Sequence, residues 1–279
     1  MVLKGKINLL VTIDKNYIPY MNVMISSLLF SNPETFFQIY IIQSSLSEED
    51  VSETRKIIDN RAEVILINAH EVNLENAPTT SRYPKEIYYR IFAAKYLPEN
   101  LDRILYLDPD IIVNGSLDEL YDINMDGMYF AAASHNGNIM HKVNEIRLDM
   151  EDDSPYINSG VMMINLRLLR KEQNYEEVFE FINKHKNHLI LPDQDIISSL
   201  YGSKIIPLDT YKYNMTERKY RIHSKKEGGL NIEWVRNNSV IIHFCGRNKP
   251  WKNNYFGKLN VFYEETVRRM KEKDEQRNA

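Results

Sequence analysis

Two carboxylates separated by one proline, Asp108-Pro109-Asp110, close the first apolar half of the stretch RILYLDPDIIVNGSLDEL. In an extended backbone residues i and i+2 project to the same side. The proline fixes its own φ and pushes the preceding residue toward extended geometry, so the two carboxylates should point together. Neighbouring negative charges at the end of a buried strand repel each other and resist burial unless a cation neutralises them. Two hard oxygen ligands on one side begin a divalent-cation site, typically one completed by substrate phosphates, and Mg²⁺ or Mn²⁺ is the expected counter-charge. The competing reading is a turn in which Asp110 satisfies loop backbone groups.

A second apolar run, in SVIIHFCGRNKPW (239–251), ends in His243 and is followed by Gly246 and Lys249. Glycine permits close backbone approach and lysine pairs with phosphate. Imidazole nitrogen beside two carboxylates favours Mn²⁺ over Mg²⁺, which prefers all-oxygen shells. Read by itself, His243 is an ordinary hydrogen-bonded strand-end residue, and Cys245 reads as a buried small hydrophobe. In VTIDKNYIPY the first strand ends in Asp14, with Asn16 and Tyr17 beyond it. First-strand ends of doubly wound sheets face the ligand and can hydrogen-bond a base or ribose, while helix capping by Asp14 or Asn16 explains the same residues equally well. Asp193, Gln194 and Asp195 open a short helix in LPDQDIISSL, where the helix dipole alone accounts for acidic residues.

These residues need a frame, and the apolar periodicity supplies one. INLLVTI (7–13), FQIYIIQ (37–43), AEVILINA (62–69) and RILYLD (103–108) have the length and composition of buried strands. Between them PYMNVMISSLLF, SEEDVSETRKIIDN with Ser47 as cap, and KEIYYRIFAAKYL stopped by Pro98 read as helices. The β-α-β-α order predicts a largely parallel, helix-covered sheet with its ligand at the carboxyl ends of the strands. In the second half MYFAAAS, SGVMMINL, KIIPLD and SVIIHF read as strands; QNYEEVFEFINKHKN, DQDIISSLYG and the closing KLNVFYEETVRRMKEKDEQRNA read as helices.

Composition narrows the partners. With 279 residues, 43% hydrophobic and a net charge of -4, the chain has the profile of a soluble globular protein. No basic stripe interleaved with aromatics is present, so no nucleic-acid partner is expected. The single cysteine excludes an intrachain disulfide framework. The apolar run before Asp14 is too short for a secretory signal and no run reaches membrane-spanning length, so a cytoplasmic location is expected. After Gly257 six Lys/Arg stand against five Asp/Glu, which predicts at most weak peripheral contact with the inner face of a membrane.

Asp14 and Asn16, YYRIFAAKYLP, ILYLDPDIIV, YINSGVMMINL, PDQDIIS and HFCGRNKPW occur in the order found in family 8 glycosyltransferases, which the chain resembles from about residue 7 to 257. That family includes glycogenin and bacterial lipopolysaccharide galactosyl- and glucosyltransferases. The resemblance implies an α/β GT-A fold, a Rossmann-like nucleotide-binding mixed sheet flanked by helices. It implies a single domain over 1–257 and a charged C-terminal helix over 258–279. It further implies a retaining transfer of a hexose, glucose or galactose, from a UDP-sugar to a hydroxyl of a saccharide or glycolipid acceptor. By the same resemblance Asp108, Asp110 and His243 hold Mn²⁺, with Mg²⁺ as the alternative, and Gly246 and Lys249 contact the diphosphate. Asp14, Asn16 and Tyr17 hold uridine, Arg90 lies near the donor, and Asn158, Asp193 and Gln194 line the sugar pocket. Gln194, Asp193 and Lys249 are then the catalytic candidates. Loops at 70–86, 135–156 and 211–229 are expected to form the acceptor rim. The tail lacks the strongly basic, aromatic character of the bacterial galactosyltransferases. Rival readings are a catalytically silent nucleotide-sugar binder and a metal-dependent phosphotransferase. Haloacid-dehalogenase-type enzymes, however, place such an aspartate pair on the first strand, with Thr or Val where this chain has Ile112.

Overall fold

Nine strands carry the fold of the computed structural model, which describes residues 3, 5–69, 74, 77–80, 84–134, 138–151, 154–225 and 229–278. They are β1 (Gly5–Thr12), β2 (Thr35–Gln43), β3 (Ala62–Asn68), β4 (Arg103–Leu107), β5 (Ile111–Val113), β6 (Phe130–Ser134), β7 (Ile157–Asn165), β8 (Ile205–Leu208) and β9 (Ile241–His243). Seven of them form one mixed sheet in the order β3-β2-β1-β4-β7-β6-β8, and β5 pairs with β9 in a small separate sheet. β3, β2, β1 and β4 are mutually parallel; β7 runs antiparallel to both β4 and β6. This is the GT-A-like α/β architecture.

The central strands read as unbroken apolar runs because both sheet faces are covered. Alternate side chains enter different cores: Leu9, Val11, Leu105, Leu107, Val161 and Met163 on one face, Leu10, Ile104, Tyr106, Met162 and Ile164 on the other. Period-two alternation therefore divides buried from buried rather than apolar from polar.

Three features of this frame set the site. The β4–β7 pairing continues past β4, where Asp108 N–H donates to Gly160 carbonyl at 2.8 Å. The register of the small sheet sets Ile111 opposite His243, and Phe244 N–H donates to the Asp110 carbonyl at 3.0 Å. The sequence-distant histidine is thereby delivered to the aspartate pair. Third, the helix expected over 85–97 does not form as one piece: a 3-10 turn, Lys85–Tyr88, and a single α-turn, Ala93–Tyr96, are separated by an irregular stretch. Tyr88, Tyr89, Ile91, Phe92, Ala93 and Ala94 are all buried, so no polar face exists to orient a continuous amphipathic helix. Arg90 sits in the break. The helix expected over 47–60 is likewise shorter, Ser52–Ile57. Ser47 and Asp50 exchange capping-box bonds in the turn before it.

The C-terminal helix Asn260–Asn278 packs on helix Ile18–Ser31. Leu259 and Phe262 join Val23, Ile112 and Phe244 in a third apolar cluster behind the small sheet. No helix among the described residues is long and apolar enough to cross a membrane.

Candidate active site

A cleft of about 870 Å³ opens at the carboxyl ends of β1 and β4. Every site residue expected from the sequence lines it: Asp14, Asn16, Tyr17, Arg90, Asp108, Asp110, Asn158, Asp193, Gln194, His243, Gly246 and Lys249.

The aspartate pair does project to one place, and protein cations meet it there. Asp108 Oδ1 accepts from the Tyr106 hydroxyl at 2.6 Å and pairs with Arg90 at 3.0 Å. Asp110 is buried, and the Lys249 ammonium bonds its Oδ2. Burial alone would raise the Asp110 carboxyl, but the Lys249 ammonium beside it holds it well below the ordinary carboxylate range. Arg90 also pairs with Asp193 at 3.0 Å. Burial opposes the charge on Arg90, yet Tyr106, Asp108 and Asp193 raise its pKa further above that of a free guanidinium. Burial pushes Asp193 up, only partly offset by Arg90 and by the Ser159 hydroxyl, which donates to it at 2.6 Å. In direct contact, the carboxyls of Asp108, Asp110 and Asp193 meet two protein cations, Arg90 and Lys249.

The local donor set fits a divalent cation. Oxygen atoms of Asp108 and Asp110 and a ring nitrogen of His243 lie within 4.8 Å of one another. Asp110 Oδ1 is buried with no hydrogen-bond donor, and His243 Nε2 lies 3.2 Å from it. A buried carboxylate oxygen with no donor is costly, and a cation would resolve it. Two carboxylate oxygens and an imidazole nitrogen suit Mn²⁺ better than Mg²⁺.

The other candidates divide between the two readings open to them. Asp14 Oδ1 accepts from Asn16 N–H at 2.7 Å, capping the turn Lys15–Tyr17 while it faces the cleft. Tyr17 stands edge-on to Tyr20 and Trp251, which stack at 3.7 Å and 13°. Gly246 adopts φ +95°, where a side chain would be strained, although a Cβ there would meet nothing. Asn158 Nδ2 donates to Gln194 Oε1 at 2.8 Å. Asp195, the second acid of the run 193–195, is structural: fully buried, it pairs with Arg147 at 2.7 Å and accepts from Tyr156, Ile190 N–H and Leu191 N–H. Cys245, expected to be buried, is exposed on the cleft wall. β9 ends at His243, and the turn at Gly246 carries the chain outward.

Sequence reasoning missed Gly160, Asn214 and the Tyr20–Trp251 stack. A Cβ on Gly160 would overlap Cε1 of His243 and lie 2.6 Å from Asp108 Oδ2. A glycine inside a strand is itself a signal of close approach, so Gly160 was detectable. Asn214 lies in a loop that carries no pattern.

Known proteins resemble this chain in sequence and fold. The sequence profile described as glycosyl transferase family 8 matches residues 8–255. The chain belongs to glycosyltransferase family 8. The lipopolysaccharide 1,2-glucosyltransferase of Escherichia coli is 31% identical over 246 residues, covering 86% of this chain and 71% of that protein. The lipopolysaccharide 1,3-galactosyltransferase of Salmonella typhimurium is 26% identical over 254 residues, covering 88% and 73%. The crystal structure of the galactosyltransferase LgtC with donor and acceptor sugar analogues superposes with a TM-score of 0.79 at 21% identity, over 94% of this chain and 95% of that one. Family 8 membership sets aside the phosphotransferase reading.

Proposed function

We propose that this family 8 enzyme transfers glucose or galactose from a UDP-sugar to a hydroxyl of a saccharide or glycolipid acceptor, with retention, using Mn²⁺ held by Asp108, Asp110 and His243. The observation that carries the proposal is the convergence of those three ligand groups in one cleft. The same cleft holds Asp14, Asn16 and the Tyr20–Trp251 stack for a nucleoside, and Asn158, Asp193 and Gln194 for a sugar. Similarity to relatives named as lipopolysaccharide glucosyl- and galactosyltransferases supports the hexose. The acceptor rim is assigned to the segments 70–86, 135–156 and 211–229; the last two, expected as loops, carry the helices Asn138–Leu148, Thr210–Tyr213 and Glu217–His223. Residues 70–73, 75–76, 81–83, 135–137, 152–153 and 226–228 lie outside the described residues. Glu86, Tyr156, Thr216, Arg218 and Lys219 from those segments border the cleft. We place the enzyme in the cytoplasm, at most peripheral to the membrane. The near balance of charge after Gly257 supports weak contact only.

Breaking the anomeric C–O bond leaves an oxocarbenium-like sugar and adds charge to the departing UDP. A bound divalent ion supplies charge stabilisation at that leaving group without proton transfer. Lys249 adds a second positive charge there once it turns from Asp110 toward the phosphates. Arg90 holds Asp108 and Asp193 in fixed relation. Gln194 Oε1 already accepts from Asn158 and from Ser159 N–H, and an amide is a poor nucleophile. Transfer is therefore assigned to the front face: the acceptor oxygen bonds to the anomeric carbon as the phosphate oxygen leaves, and that phosphate takes the acceptor's proton. UDP release from UDP-glucose and UDP-galactose in Mn²⁺ tests the donor. In the same assay Gln194→Ala is expected to slow release by roughly 10-fold, about 1.4 kcal/mol. Complete loss in a folded Gln194→Ala protein would instead make Gln194 the nucleophile.

A further inference from the structure

His243 is tied to Gln194 by an unbroken line of buried side-chain amides. The Nδ1 atom of His243 lies 2.9 Å from Oδ1 of Asn214, a residue with no solvent exposure. Asn214 Nδ2 donates to Asn158 Oδ1 at 2.9 Å, and Asn158 Nδ2 donates to Gln194 Oε1 at 2.8 Å. The two ends of an amide have nearly the same shape. The direction of such a line must therefore come from groups that can only donate.

Two backbone N–H groups of β7 supply that direction. Ser159 N–H points to Gln194 Oε1 at 3.4 Å and Gly160 N–H to Asn158 Oδ1 at 3.3 Å. Both oxygens are thereby fixed as acceptors. The Asn158 amino group must then face Gln194, the Asn214 amino group must face Asn158, and the Asn214 carbonyl must face His243. Only a hydrogen on Nδ1 can answer that carbonyl, so the neutral ring carries its lone pair on Nε2. That lone pair looks at Asp110 Oδ1 at 3.2 Å and Asp108 Oδ2 at 3.7 Å. Electron pairs facing one another across this gap are unfavourable until a cation lies between them.

We propose that Asn214 is a positioning residue that holds His243 in its Nδ1–H tautomer and so reserves Nε2 for a divalent cation, the polarity originating in the β7 backbone at Ser159 and Gly160. The inference rests on the metal assignment above and adds the device that prepares the ligand before metal arrives. Metal-ligating histidines commonly donate their second N–H to an oxygen acceptor, and loss of such a partner costs about 10- to 100-fold in metal affinity.

The test uses the full chain with ¹⁵N-labelled histidine, its His243 resonances assigned by comparison with His243→Gln. Long-range ¹H–¹⁵N spectra of the metal-free protein at pH 9 should find the hydrogen on Nδ1 in the wild type. Asn214→Leu removes the acceptor and should shift the hydrogen to Nε2. Mn²⁺ titration in the presence of UDP, read by electron paramagnetic resonance, should show Asn214→Leu weakened by about 10- to 100-fold. Hydrogen on Nε2 in the wild type, or a folded Asn214→Leu with unchanged tautomer and Mn²⁺ affinity, would overturn the proposal. If Asn214→Leu fails to fold, the wild-type spectrum decides it. A wild type that binds no Mn²⁺ with UDP would sink the donor assignment, while the tautomer still decides the role of Asn214.

Discussion

Asp110→Asn is expected to lower turnover by about 100-fold or more, at least about 2.7 kcal/mol of transition-state stabilisation. Asparagine keeps the size of the side chain and one acceptor oxygen but removes the charge. Asp110 is the buried member of the pair, and its Oδ1 is the oxygen left without a donor. Its substitution also leaves the Lys249 ammonium without its carboxylate. Initial rates of UDP release in saturating Mn²⁺ check the expectation. Near-normal turnover under those conditions would remove Asp110 from the metal site.

The second large effect comes from the smallest change, Gly160→Ala. The added methyl would overlap His243 Cε1, 3.0 Å from Nε2 and 2.6 Å from Asp108 Oδ2. Neither neighbour can give way freely. His243 is held by Asn214 on one side and faces Asp110 on the other, and Asp108 is held by Tyr106 and Arg90. Overpacking of this kind costs about 1–3 kcal/mol of stability, and the displaced ligands should lower turnover by about 100-fold, near 2.7 kcal/mol. Gly115→Ala is the matched comparison, because its methyl would meet Val240 at an ordinary 3.4 Å. Thermal melts, Mn²⁺ titration and UDP release on both variants test this; a Gly160→Ala enzyme with wild-type Mn²⁺ affinity would contradict the geometry described.

Much of this site was legible before any coordinates. The strands could be located because β1, β4 and β7 are apolar on both faces, and the polar residues that interrupt their ends stood out against that background. Asp108, Asp110 and His243 were visible for this reason. The small β5–β9 sheet that joins them was not, since β5 spans only Ile111–Val113 and follows the aspartate pair directly. The stretch around Arg90 misled because a fully buried segment has no amphipathic period to declare where its helix breaks. Asn214 was invisible for a different cause: its importance lies in which way an amide points, a property of three-dimensional hydrogen-bond direction. Cys245 was misread as buried because the run before it is buried, while the turn at Gly246 exposes it.

The most direct measurement is thermal unfolding of the purified protein with UDP, with and without Mn²⁺. A ligand at about 100 times its dissociation constant adds about 2.7 kcal/mol, which is roughly 5 to 10 °C for a protein of this size. A shift that requires UDP and Mn²⁺ together is the predicted result, because Asp108, Asp110 and His243 would hold the ion against the diphosphate. No shift at millimolar UDP, with or without Mn²⁺, would contradict the metal-bridged nucleotide site on which the account stands.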